Sequence, residues 1–443
     1  MVNILKLTNL KLSRIFAFTL FGLFFVIAVA IYPGSGGEGG QREINQFSEK
    51  IDWWNFAPAA LYGKWPSIGS NWTYTLSLFQ FLLFIFSTFL IYRELLDKKL
   101  RIFFIIFTYL GAFFVIQLWR DSTLFVCAFL GFAFLFRLKK GNIWFNLAIS
   151  LILIIIAGLF KPVFAPILFF MLFFFLQDLV KKNSSKIALI LACVVLSFSS
   201  FLIDRIASNY FNLVKSYPEQ QVMIYDTAKI YCWGYSTDSV LEAKSILKPL
   251  LIHEGNYESI CSSLTPLGWD SLRVQTFEVK DSPSIKVIED IVEMNKLKKA
   301  WIKLIIHSPM EWLMVKVSDS AQVLTMANAY AIDGLYAGEA RNSLFISSDL
   351  LLKFLHFPVV IFDKLRFFSA GFTILVGFFL FVRLKESLHR DKLQKPAIYF
   401  LLINLTVVIM ATIAFIANNG RYVLPYILLS YLYLFFKLNL KNS

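Results

Sequence analysis

Histidine and cysteine are scarce, at four residues each in a chain of 443. His253, His307, His356 and His389 stand far apart, and neither CxxC nor HExxH spacing occurs. That argues against a dedicated zinc site, whose ligands recur at short intervals. Charge is thin too: only 16% of residues are Asp, Glu, Lys or Arg, with 29 acids against 43 bases. The resulting net charge of +14 does not point to a nucleic-acid partner. The basic residues are scattered over short connectors, whereas nucleic-acid binding needs them gathered in one patch. Internal repeats and low-complexity tracts are absent as well.

Apolar side chains fill the chain instead: 58% of it, with 48 Phe and a mean hydropathy of +0.65. A bilayer crossing needs about 20 apolar residues in helix, because backbone amides in lipid must be satisfied within the segment. About ten stretches qualify, at Arg14–Ile31, Tyr74–Tyr92, Ile102–Trp119, Thr123–Phe136, Ile143–Phe160, Val163–Leu179, Ile187–Leu202, Phe367–Val382, Ala397–Ile416 and Tyr422–Phe436. Arg14–Ile31 is longer than a typical signal-peptide core and lacks a small-residue cleavage site, so it is expected to stay as an anchor. Basic clusters mark alternate gaps, around Lys6–Arg14, Lys98–Arg101, Arg137–Lys140, Lys181–Lys186, Arg383–Lys395 and Lys437–Lys441. By the positive-inside bias these face the cytoplasm, with both termini, in a multi-pass protein of the cytoplasmic membrane.

The expected fold is therefore an all-α integral membrane protein of about ten transmembrane helices, with a large, mostly helical extracytoplasmic loop between helices 7 and 8. Three parts are expected: an N-terminal transmembrane module, 1–203, with a first outer loop at 32–72; a loop domain, 204–345; and a C-terminal module, 346–443. From Arg205 to Phe345 there are 14 basic residues against 16 acidic ones, which suits the outer side. The stripe Ile288, Ile291, Val292, Met294, Leu297, Trp301 and Leu304 predicts a helix over 286–306, expected to lie on the membrane surface with its lysines reaching headgroups. A second interfacial helix is expected over 345–365. Cys127 and Cys193 fall inside spans and act as small apolar residues. Cys232 and Cys261 share the outer loop, where a disulfide between them can form.

Polar chemistry gathers at the outer ends. The first outer loop reads Pro33-Gly34-Ser35-Gly36-Gly37-Glu38-Gly39-Gly40-Gln41-Arg42-Glu43, and later Asp52-Trp53-Trp54-Asn55. Glycines let backbone amides approach a ligand closely. A carboxylate held there, Glu38 or its neighbour Glu43, can act as a general base or hold a divalent cation beside a phosphate. Asp52 adds a second carboxylate beside aromatic faces suited to sugar rings. The same residues also suit a solvated linker with an interfacial tryptophan belt. Arg120, Lys161 and Arg421 sit in tight outer turns, against the positive-inside trend, where they can clamp a phosphate or simply contact headgroups.

The order of these pieces resembles the GT-C superfamily of membrane glycosyltransferases. The resemblance is carried by Tyr32-Pro33-Gly34-Ser35 with Glu38, Asp52-Trp53 with Pro58, Arg120-Asp121-Ser122 before Leu124-Phe125, and Phe160-Lys161-Pro162. Ile224-Tyr225-Asp226, Gly268-Trp269-Asp270, Lys299-Ala300-Trp301 with His307-Ser308-Pro309 and Trp312, and Gly420-Arg421-Tyr422 with Pro425 continue it. The departures are Glu38, where Asp is usual, and Trp54-Asn55-Phe56-Ala57, which replaces a His-Pro-Pro element. The resemblance implies sugar transfer from a polyprenyl-phosphate donor to a glycan or lipid acceptor of the cell envelope. Glu38 and Asp52 would be the catalytic acids, with Arg120, Asp121, Lys161, Arg421, Gln41 and Trp53 binding substrate and phosphate. Two alternatives remain open: an outer-face polysaccharide polymerase or ligase, and a non-enzymatic transporter or flippase. The first would be expected to carry an arginine or histidine cluster in the large loop, where the arginines are only Arg205, Arg273 and Arg341, widely separated. The second would be expected to carry charged or helix-breaking residues near mid-membrane.

Overall fold

The computed structural model describes residues 51–52, 61, 72–115, 120–138, 141–177, 183–211, 214–215, 217, 219–251, 257, 260–261, 264, 285, 288–325, 369–385, 390–414 and 423–442. The segments expected to cross at Arg14–Ile31 and to lie at the interface over 345–365 fall outside these residues. The described chain is helical apart from short pairings. The helices of the apolar bundle are α1 (Trp72–Glu94), α2 (Lys98–Val115), α3 (Arg120–Phe136), α4 (Ile143–Phe160), α5 (Ala165–Leu176) and α6 (Asn183–Tyr210). The segment that follows, termed the outer segment after its expected side of the membrane, contributes α7 (Gln220–Trp233), α8 (Thr237–Leu247), α9 (Ile291–His307) and α10 (Pro309–Thr325). The bundle resumes with α11 (Ala370–Lys385), α12 (Arg390–Ala414) and α13 (Leu424–Asn442).

Three of these helices are long and apolar enough to cross a membrane, over Ile143–Phe160, Ser184–Tyr210 and Gln394–Thr412. Five shorter apolar helices pack with them, over Leu100–Tyr109, Asp121–Phe136, Pro162–Leu176, Ala370–Val382 and Leu424–Asn439. α6 spends little of its surface on neighbours. Ile187, Leu191, Val195, Phe198 and Leu202 all face outward, as lipid-facing side chains do. Inside the bundle the contacts are aromatic. Phe84, Phe125 and Phe129 stack across α1 and α3 at centroid distances of 5.3–6.2 Å, and Phe132 stacks on Phe175 at 4.6 Å. Lipid tails are as apolar as these rings, so packing rather than water exclusion selects such contacts. Gly131 brings α3 close to α4: a Cβ there would lie 3.0 Å from Ile154 and 3.1 Å from the Ser150 carbonyl.

The bundle has two distinct ends. At one, Asn439 accepts from the Leu96 backbone N–H (2.8 Å) and donates to the Glu94 carbonyl (2.9 Å). Arg137 lies 3.9 Å from the buried Glu94 carboxylate there, and Arg101 donates to the Leu95 carbonyl. Arg101 and Arg137, two of the basic residues that the positive-inside argument groups together, thus share this end. Within the bundle one polar pair is uncharged: Asn404 of α12 donates to Ser430 of α13 at 3.1 Å.

A second hydrophobic cluster, separate from the bundle core, is built from α7, α8, α9 and α10. α9 starts at Asp290, whose carboxylate accepts from the backbone N–H groups of Val292 and Glu293 and so fills two orphan donors. Part of its stripe is taken up within this segment, while Ile291 and Val292 stay exposed. Met294, Leu297 and Leu304 are buried in this cluster, where α9 packs against α7 and α8. The hydrophobic period is the same for either partner, and the neighbouring helices supply the nearer apolar surface. Cys232 and Cys261 are joined by a disulfide across a sequence separation of 29. Replacing both by Ala removes a constraint worth about 3–4 kcal/mol for a loop of that length. Limited proteolysis of the solubilised protein is expected to cleave the outer segment faster in that variant, with the bundle fragments unchanged.

Candidate functional site

Pro162 determines the local geometry at the mouth of the bundle where α4 ends. It lacks a backbone N–H and disfavours helical conformation in the residue before it. Lys161 accordingly sits at φ −152°, ψ 75°, between α4 and a single 3-10 turn over Pro162–Phe164. Its side chain is buried and donates to Asp121 Oδ1 at 2.6 Å. Asp121 lies in the first turn of α3, where the helix dipole favours an anion. The ammonium also lies 5.2 Å from the Phe164 ring centroid. Around this pair, Ser122 Oγ donates to the Phe114 carbonyl (2.9 Å), tying α2 to α3, and Gln80 of α1 donates to Thr123. Four helices therefore meet in one buried polar knot.

Two further segments converge on this end. Phe164 stacks on Tyr426 of α13 with centroids 4.8 Å apart, bringing the start of α13 to the Lys161 turn. α6 passes close to α4, since a Cβ on Gly158 would lie 2.9 Å from Ser200 Oγ. Beyond α6 the chain forms β2 (Val214–Lys215), which pairs in parallel with β1 (Ile51–Asp52), with Ile51 opposite Val214 and Asp52 opposite Lys215. The first outer loop is thereby joined to the start of the large outer segment.

Of the residues expected to form the site, Asp121 and Lys161 are brought together, but as partners of each other. Lys161 is consequently engaged in bracing helices rather than presented for a phosphate. Asp52 is placed by its backbone in β1, and Arg120 by its backbone as the first residue of α3. Glu38, Gln41, Glu43, Trp53 and Arg421 lie outside the described residues. No group of three or more potential metal ligands occurs among the described residues.

A second charged constellation escaped the reading of the sequence. In the outer segment, Lys316 of α10 donates to Asp226 Oδ1 of α7 at 2.7 Å, and Trp312 Nε1 donates to Asp226 Oδ2 at 3.1 Å. Lys229, one turn along α7, donates to Asp319, one turn along α10. All four charged side chains are buried, and Lys229 also lies 4.3 Å from the Tyr225 ring centroid. The signal was present as opposite charges three apart on two apolar helices, Asp226/Lys229 and Lys316/Asp319. Their pairing across 90 residues was not. Burial holds the Asp226 carboxyl above the usual carboxylate range, with Lys316 and the hydrogen bonds from Lys316 and Trp312 pulling it back. Burial likewise pushes the Lys229 ammonium below its ordinary range, against the pull of Asp319. The closed, charge-balanced core of this constellation suits a clasp between α7 and α10 better than a ligand site.

Neither a protein-family model, nor a curated protein, nor a solved structure matches this chain.

Removing one partner from a buried pair leaves an uncompensated charge and costs about 3–5 kcal/mol. Lys316→Met is expected to lower the thermal unfolding midpoint of the solubilised protein sharply, and Asp226→Asn added to it to restore most of the loss. The sign of the pH effect follows from the raised Asp226 pKa. An acid that binds its proton more tightly when folded loses stability as pH rises from its unfolded pKa through its folded one. Without Lys316 that folded value climbs further, so the deficit of Lys316→Met is expected to shrink as pH falls from 7 toward 4.

Proposed function

We propose that this protein is a membrane glycosyltransferase, moving a sugar from a polyprenyl-phosphate donor to a cell-envelope acceptor at the outer face of the cytoplasmic membrane. One observation carries the reading: β1 and β2 pair, so the carboxylate-bearing first loop meets the large outer segment. They meet on the side of the bundle where Asp121 and Lys161 close the helix mouth. The topology that goes with it is the ten-span, GT-C-like arrangement, with the basic end in the cytoplasm.

In this mechanism the acceptor hydroxyl gives its proton to a first-loop carboxylate, Glu38 or Asp52, as its oxygen bonds to the sugar's anomeric carbon. The bond from that carbon to the phosphate oxygen breaks, and the polyprenyl phosphate leaves with the bonding electrons. Arg120, at the start of α3, and Arg421 neutralise the departing phosphate, a role that strengthens where water is excluded. Lys161 contributes by holding α3 and α4 in register through Asp121. Trp53 offers its face to a sugar ring, and Gln41 a hydrogen bond to a sugar hydroxyl.

Glu38→Gln and Asp52→Asn keep size and remove basic oxygens. At least one of them is expected to lower transfer by about 10²–10⁴-fold, with membrane insertion unchanged. The measurement is envelope glycan composition in cells with, without, and with variant protein. Loss of one sugar decoration supports transfer. Shortened polymers would indicate a polymerase instead, and intact glycans with redistributed lipid a transporter.

A further inference from the structure

α10 is built the wrong way round for a helix in water. Its charged residues other than the half-buried Glu311 face inward: Lys316 and Asp319 are 6% and 1% exposed. Its outward face is Met310, Leu313, Met314, Val317 and Ala321, and Met310 and Val317 are 64% and 53% exposed. No charged side chain interrupts that face from Met310 to Ala321. Twelve residues of helix make a strip about 18 Å long. A soluble helix shows the reverse arrangement, with charge outward and apolar residues toward its neighbours. Charges turned inward and paired, with apolar side chains turned outward, is the pattern of a helix whose surroundings are hydrocarbon.

The attachment of α10 to the bundle sets its depth. Ser320 Oγ lies 3.0 Å from Thr412 Oγ1, and Thr412 ends the membrane-crossing stretch Gln394–Thr412 of α12. The end of α10 presses on α11, where a Cβ on Gly371 would lie 2.5 Å from the Leu324 carbonyl oxygen. α11 itself turns Leu375, Phe378 and Phe379 outward, so the strip on α10 continues an apolar surface that already faces lipid. On the other side, α9 exposes Lys296, Lys298 and Lys299 beyond the break at Ser308–Pro309. Cations placed there match the phosphates of headgroups.

We propose that α10 is seated in the outer leaflet, its Met310–Leu313–Met314–Val317 face against lipid acyl chains, so that the bilayer itself forms one wall of the outer domain. The clasp with α7 then has a reason: it keeps the two charges of α10 away from hydrocarbon while the rest of the helix is immersed. The proposal rests on the membrane character of the bundle and is independent of any transferase activity.

The test uses the full chain in phosphatidylcholine–phosphatidylglycerol liposomes, with Cys127→Ala and Cys193→Ala to leave one labelling site. Nitroxides at Leu313→Cys and Val317→Cys are read by collision with oxygen and with a water-soluble nickel chelate. The expected oxygen-to-nickel ratio is close to that of a label at Phe198→Cys on lipid-facing α6, and well above that at Lys299→Cys. A ratio like that at Lys299→Cys would overturn the proposal by putting the face in water. Exclusion of both reagents would overturn it too, by showing the face covered by protein. Photolabelling the unsubstituted protein with a diazirine-bearing phospholipid supplies a readout that no substitution perturbs. Adducts are expected on the peptide containing Met310–Ala321, and their confinement to the bundle helices would count equally against it.

Discussion

Lys161 is held by Pro162 at the end of α4, where the chain must turn and the side chain is buried. A buried ammonium needs an anion, and Asp121 at the start of α3 supplies one. Much else follows from that contact. It brings the α3 N-terminus to the α4 C-terminus, which sets the tight packing at Gly131 and the meeting of α1 and α2 through Gln80 and Ser122. Phe164, carried on the next turn, then receives Tyr426 and draws in α13. A buried ion pair is weak evidence for stability, since desolvation offsets much of the attraction. Its value here is in choosing one arrangement of helices whose greasy faces would otherwise slide past each other.

The spans were the most legible part of this chain. Ile143–Phe160 is the same stretch in the sequence pattern and in the structure, because Asn142 caps one end and Lys161–Pro162 breaks the other. The helix expected over 286–306 is present as α9, but its packing on α7 and α8 was not foreseen, since a stripe reports which side is apolar and not what it touches. α10 was not foreseen. Read by hydropathy, Lys316 and Asp319 make it an ordinary surface helix, and only their pairing with residues on α7 reveals that its charges point inward. The candidate site was legible in part. Asp121 and Lys161 were singled out as separate polar positions at the mouth, but a linear sequence does not say that two such groups will use each other up.

The outer segment and the bundle answer the same problem differently. In the bundle, neutral side chains such as Asn404 and Ser430 meet across helices, where the alternative is an unsatisfied group in hydrocarbon. In the outer segment full charges are buried, in two pairs of opposite sign one helical turn apart. A disulfide from the last turn of α7 braces the same cluster. In the transfer proposed above, that rigidity would serve a step in which a base, a leaving group and a lipid-tethered substrate must be held in one geometry.

The short parallel pairing of Ile51–Asp52 with Val214–Lys215 joins positions roughly 160 residues apart. During synthesis the first of these emerges long before the second, with six described helices still to be made between them. The first loop therefore waits, unpartnered, until α6 has been delivered through the membrane and its tail has reached the far side. Contacts so distant along the chain form slowly and late. Ile51 and Asp52 are thus among the last positions to acquire their final neighbours, so on the proposed reading a half-inserted chain displays no finished reaction centre.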